Sequence, residues 1–136
     1  MLRKIEYLIP AALQAIDQTF SDDIQGNGIP SGYQSAVSGF GTTIIQMGLL
    51  PTLAVYADED SGSGIVRKKL IEVLIRIIKH DACKLPAELK QKLDPHKSPL
   101  STVATDKAMR ESLKEHLLQA SLAFKLAIRT YKLKKP

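Results

Sequence analysis

Apolar residues recur along most of this chain at helical spacing. The most continuous pattern runs from Ile29 to Tyr56, a stretch without a charged side chain. Tyr33, Val37, Phe40, Ile44 and Met47 step by four, three, four and three, which sets them on one face of a helix. Pro30 and Ser31 suit its N-terminus, and Gly48 suits its stop. Leu50, Leu53, Ala54 and Tyr56 resume the pattern in a second helix. Pro51 falls in the first turn there, where its missing N–H is no loss. Ser38, Gly39, Gly41, Thr42 and Thr43 are small enough to let another helix approach. By pattern alone, this stretch is a core hairpin without chemistry.

Upstream, Leu2, Ile5, Ile9, Leu13, Ile16 and Phe20 mark an amphipathic first helix. Pro10 either kinks it or begins it after an extended arm. The apolar face continues in phase across the proline, which favours one kinked helix. Gly26-Asn27-Gly28 marks a loop. Downstream, residues 58–64, DEDSGSG, form a turn and connector. They lack the Gly-Lys-Ser/Thr ending of a phosphate loop, and no strand precedes them for a dinucleotide motif. Ile65 to Asp81 is rich in β-branched residues, but its length of 17 and the spacing of Val66, Leu70, Val73, Leu74, Ile77 and Ile78 favour a helix. A short helix fits from Pro86 to Leu93, ahead of Pro95 and Pro99. The last helix is expected to start near Thr105 as N-cap, with Asp106 just after it. Met109, Leu113, Leu117, Ala120, Phe124, Ala127 or Ile128, and Tyr131 run down one face of it. Lys132, Lys134 and Lys135 then suit its C-terminal dipole. The expected fold is all-α: a compact bundle of five or six helices, one domain over residues 1–136, with no β-sheet.

The central stretch carries a family resemblance. A Pro30-Ser31-Gly32-Tyr33 entry leads into an uncharged helix through Gly39-Phe40-Gly41. Gly48 to Tyr56, GLLPTLAVY, follows. This resembles the small, all-helical subunit of the Cmr-type (type III-B) CRISPR effector complex. The likeness is dense over roughly a fifth of the chain, and length and helix layout agree across the whole. That family often carries an aromatic residue where Val55 stands and a basic one soon after the tyrosine. Here Ala57, Asp58, Glu59 and Asp60 follow Tyr56. The resemblance implies a non-catalytic structural subunit of an RNA-guided effector, working in cytoplasmic antiviral defence. Its implied partners are the other Cmr subunits, further copies of itself stacked into a filament, and a guide–target RNA duplex along a basic face. RNA cleavage would belong to other subunits. No catalytic residue is carried over.

Composition narrows the chemistry. Three Phe, four Tyr and no Trp argue against platforms for stacking single-stranded bases. Tyr33, Phe40, Tyr56 and Phe124 sit in phase with aliphatic neighbours and are expected in the core. The lone Cys83 excludes an internal disulfide and is compatible with a reducing compartment. No apolar run reaches the length of a membrane span, and Glu6 and Asp17 mark the N-terminus as a mature helix. No catalytic constellation is expected. His80, Asp81 and Cys83 are too few for a zinc site. His96, and His116 beside Glu115, lack a nucleophile and an orienting group. Asp22-Asp23 and Asp58-Glu59-Asp60 do not follow calcium-loop spacing. Neither metal, cofactor nor small-molecule substrate is expected.

Charge is divided unevenly. Residues 1–64 hold two basic and seven acidic side chains, and residues 65–136 hold seventeen and seven. Such asymmetry suits a polyanionic partner for the second half, or a merely solvated lysine-rich surface. Arg67, Lys68 and Lys69 open a helix, where cations oppose the macrodipole. Two explanations stand open: pairing with Asp58, Glu59 and Asp60, or contact with phosphate. Arg76, Lys79, Lys84, Lys90, Lys92 and Lys97 extend the positive charge. Point charges with few aromatics suit reading of a phosphate backbone without sequence preference. The rival reading is a helical protein–protein adaptor that touches no nucleic acid.

Overall fold

The computed structural model describes residues 2–26, 28–56, 67–80, 87–94, 99, 103, 106–131 and 133–134. Seven helices are named among them: α1 (Leu2–Thr19), α2 (Ser21–Gln25), α3 (Gly32–Met47), α4 (Leu49–Tyr56), α5 (Arg67–Lys79), α6 (Ala87–Lys92) and α7 (Lys107–Ala127). A 3-10 turn, Ile128–Thr130, continues α7. The fold is all-α, as the periodicity requires.

The long helix α7 packs against α1, α3 and α5. Leu113, Leu117, Ala120, Ala123, Phe124 and Ala127 are its buried residues, close to the expected face. Its N-cap is Asp106 rather than Thr105. The Asp106 side chain accepts a bond of 3.1 Å from the Met109 N–H, satisfying a donor that the helix leaves unpaired. Against α7 lies α3, and an added Cβ at Gly41 would stand 3.6 Å from Ser121 Oγ and 3.8 Å from Leu118 Cδ2. The small residues of α3 thus do admit a neighbouring helix. Tyr33, Val37, Phe40 and Ile44 are buried as their spacing predicts, but Met47 is 51% exposed. The helix ends at Met47, so this residue has no following turn to cover it. Gly48 adopts φ +87°, and its N–H bonds to the Ile44 carbonyl at 2.9 Å. That left-handed conformation favours glycine and turns the chain into α4. The Phe40 and Tyr56 rings then meet edge to face, centroids 5.1 Å apart.

The buried stripe of α1 is turned around the helix from the face that the pattern implied. It runs through Leu8, Ala11, Ala12, Ala15 and Ile16, while Ile9 and Leu13 are only partly covered. This helix packs on both α7 and α5, and alanines let the backbones come close on two sides. Pro10 lies inside the helix on its exposed face. The Glu6 carbonyl that it leaves unpaired can take water there.

A two-residue parallel pairing departs from the expectation of no sheet. Ile29–Pro30 (β1) aligns with Leu133–Lys134 (β2), with Ile29 opposite Leu133. The chain leaves the helix at Tyr131, which is extended at φ −100°, ψ 153°. Its hydroxyl lies 2.9 Å from the Leu13 carbonyl and 2.8 Å from Asp17 Oδ1. That anchor lays the tail beside β1, where loop backbone needs partners.

Burial, then the Asp17 hydrogen bond and charge, raise the Tyr131 pKa above the ordinary tyrosine range. The folded state therefore holds this proton more tightly than the unfolded chain. Its contribution is fully present below a pH of about 10 and is lost as pH rises beyond. Tyr131→Phe should lower stability by about 0.5–1.5 kcal/mol at neutral pH, as for a lost hydrogen bond. The gap from the parent should shrink in urea titrations above a pH of about 10. Equal stabilities at neutral pH would show that the anchor contributes nothing.

Candidate nucleic-acid interface

Helix α5 is buried on nearly every side. Leu70, Ile71, Val73, Leu74, Ile75, Ile77 and Ile78 are all in the core. Burying an unpaired cation is far costlier than exposing an aliphatic side chain. The charged residues of α5 therefore collect on the strip that remains. Lys69, Glu72, Arg76 and Lys79 follow one another at steps of three, four and three, with His80 next; all are half-buried. Three of the expected phosphate contacts, Lys69, Arg76 and Lys79, lie on one line as a result. Lys68 is half-buried beside the start of the line, and Arg67 opens the helix.

Each cation leans toward a different neighbour. Lys69 Nζ lies 3.8 Å from Asp23 Oδ2 of α2 and 5.5 Å from the centre of the Phe20 ring. At 42% and 32% side-chain exposure this ion pair is a surface pair, worth about 0–1 kcal/mol. An acid does approach the cationic first turn, and it comes from α2. Asp58, Glu59 and Asp60 lie outside the described residues. Arg76 Nη1 donates to Gln18 Oε1 of α1 at 3.2 Å. Arg76 Nε sits 3.4 Å from Glu72 Oε2, close enough to attract but without a hydrogen bond.

Lys79 and Lys90 form a crosswise tie between α5 and α6. Lys79 Nζ donates to the Leu93 carbonyl at 2.6 Å, and Lys90 Nζ donates to the His80 carbonyl at 3.1 Å. Each carbonyl stands just past a helix C-terminus, where the macrodipole favours a cation. Leu89 and Leu93 are buried beneath this tie. Lys92 pairs with Glu88 at 3.6 Å, with both side chains at least half exposed. The structure thus joins Lys90 to the end of the α5 strip, and Lys92 stands on the same short helix. Lys84 and Lys97 lie outside the described residues, as do Asp81, Cys83 and His96.

Spacing did not reveal the partners supplied by α1 and α2. Gln14 and Gln18 stand one turn apart on α1 and share a pocket of about 190 Å³ with Ala11, Ala15, Arg76, Lys79 and His80. The two glutamines in an otherwise alanine-rich helix were the available signal. Tyr33, Phe40, Tyr56 and Phe124 are buried, in line with their expected core roles. Elsewhere, α3 and α7 border a groove of about 560 Å³, whose lining includes the exposed Ile45 and Leu122 and the charged Glu115 and Lys125. Among the described residues, no group of three or more His, Cys, Asp and Glu is arranged to hold a metal ion. His116 Nδ1 lies 2.8 Å from the Ser112 carbonyl within its own helix.

These features define a small all-helical protein whose distinctive surface is a line of cations. Among the described residues no helix is long and apolar enough to cross a membrane. The chain belongs to the family described as CRISPR-associated protein (Cas_Cmr5), whose model matches residues 9–127. It is thereby a small structural subunit of the Cmr-type (type III-B) CRISPR complex. Neither the curated proteins nor the solved structures provide a significant match.

The lysine tie makes a prediction about α6. Lys79→Met and Lys90→Met together should speed amide exchange across Ala87–Lys92 by about tenfold or more, as two lost charge-assisted bonds would. Exchange at the buried centre of α7 should be nearly unchanged. Unaltered protection in α6 would mean that Leu89 and Leu93 alone hold the helix.

Proposed function

We propose that this chain serves its Cmr complex as a non-catalytic lining of the guide–target RNA path in the cytoplasm. Copies of the chain stack beside the subunits that hold the guide. Lys68, Lys69, Arg76, Lys79, Lys90 and Lys92 face the RNA backbone, and Arg67 and Lys84 are proposed as further phosphate contacts. The observation that carries this reading is the α5 strip. A helix buried on its other sides carries a half-buried row of three cations and one acid, Lys69, Glu72, Arg76 and Lys79, with Asp23 of α2 beside Lys69. Point charges of this kind hold phosphates without reading bases. RNA cleavage falls to other subunits.

A second, uncharged surface supports contact with protein. Residues 24–57 contain no charged side chain, although Ile45, Met47 and Val55 are exposed. Depletion of charge marks the centres of protein interfaces. The same feature favours the second reading, a protein–protein adaptor with no RNA contact.

Replacing Arg67, Lys68 and Lys69 together with alanine, in the assembled complex, separates the two. Affinity for target RNA should fall, and the slope of its dependence on salt should flatten by up to about 0.9 per lost phosphate contact on a duplex. Stability of the chain should stay level or rise slightly, since three cations no longer oppose the helix dipole. Correct assembly with unchanged RNA affinity would remove these three from the site and shift the search to Lys84–Lys97 or the C-terminal lysines; RNA binding that does not depend on salt would favour the adaptor.

A further inference from the structure

We infer that the pocket between α1 and α5 is a seat for a single phosphate group. The inference deepens the reading above, because it names the chemical group and the residues that would take it. The pocket is lined by Gln14 and Gln18 from α1, by Arg76, Lys79 and His80 from the end of α5, and by the methyl groups of Ala11 and Ala15. Two of these seven residues are full cations, two are amides, one is an imidazole, and none is a carboxylate. Glu72 touches Arg76 from the side but does not line the pocket.

The donors are held in place by bonds that do not exhaust them. Arg76 has five N–H groups, and Gln18 Oε1 takes one of them through Nη1. Its Nε–H is buried and turned toward Glu72, so the remaining Nη protons are the ones available to a ligand. Because Gln18 accepts through oxygen, its amide nitrogen remains a donor, and its orientation is set by Arg76. Lys79 gives one of its three protons to the Leu93 carbonyl, which fixes the ammonium at the pocket end of α5. Ala11 and Ala15 are buried and short, so a compact anion can approach the α1 side. A volume of about 190 Å³ fits a phosphate and part of its ribose but is too small for a stacked nucleotide with its base. No aromatic ring lines it. A tetrahedral anion with several acceptor oxygens can use donors arriving from two helices, whereas a planar carboxylate offers two oxygens.

Nuclear magnetic resonance on the full chain tests the seat. Inorganic phosphate and acetate are titrated separately at constant ionic strength. Phosphate should produce saturable shifts at the Gln14 and Gln18 side-chain amides and at the Arg76 Nη protons, and acetate should not. Arg76→Met should weaken phosphate binding at least tenfold. Gln14→Glu, a change at an exposed position, should do the same without altering the melting temperature. Equal responses to acetate, shifts confined to other lysines, or unchanged affinity in both variants would overturn the seat. A single-stranded RNA oligomer, and the assembled complex carrying Gln14→Glu, then identify the source of the phosphate. Competition by the oligomer together with weakened RNA binding in the complex assigns the seat to the RNA backbone. Retained RNA binding, with phosphate shifts intact in the isolated parent, assigns it to free phosphate; the seat then stands while its place on the RNA path fails.

Discussion

The burial of α5 between α1 and α7 is the constraint on which the rest depends. Seven of its thirteen residues are in the core. Each large aliphatic side chain buried there stabilises the fold by about 1.5–3 kcal/mol. Leaving a lysine or arginine in the same place without a partner would cost several times as much. Only one strip of the helix can therefore carry charge. The line of Lys69, Glu72, Arg76 and Lys79 is a consequence of packing before it is a feature of function. The alanines of α1 sharpen this effect, because they let α1 close over one side of the helix while Gln14 and Gln18 stay at the edge.

That constraint also divides the surface. The end of α5 meets α6 through the paired bonds of Lys79 and Lys90, so α6 continues the cationic line and buries Leu89 and Leu93 against the core. Away from this region, α3 and α4 carry no charge and leave Ile45, Met47 and Val55 in contact with water. A chain with net charge +5 can approach a similarly charged neighbour most easily through such a face. A subunit placed between RNA and protein needs both surfaces, and the helix order provides them.

Much of this was legible in the sequence. Helical spacing located α3, α5 and α7, because each long helix repeats its apolar residues over several turns. Gly48 and Pro51 marked the break between α3 and α4, because each has a strong backbone preference. Other features depended on approach from elsewhere. Spacing placed Ile9 and Leu13 at the centre of α1, but burial from two sides moved the core onto Ala11, Ala12 and Ala15. Met47 kept the period of its helix, yet the helix ended before anything covered it. The Tyr131 anchor and the β1–β2 pairing join residues more than a hundred positions apart, which no local pattern records. Within the candidate site, charge pattern identified Lys69, Arg76 and Lys79, but not Asp23, Gln18 or the Leu93 carbonyl that position them.

The central claim is that the α5 strip and α6 face RNA. Lysine footprinting of the assembled complex, with and without target RNA, tests it most directly. Small acylating reagents report each lysine separately, and those of α7 serve as internal controls. The account predicts that RNA protects Lys68, Lys69, Lys79 and Lys92, while Lys107, Lys114 and Lys125 keep their reactivity. Protection confined to the α7 lysines, or no difference anywhere on the chain, would contradict it.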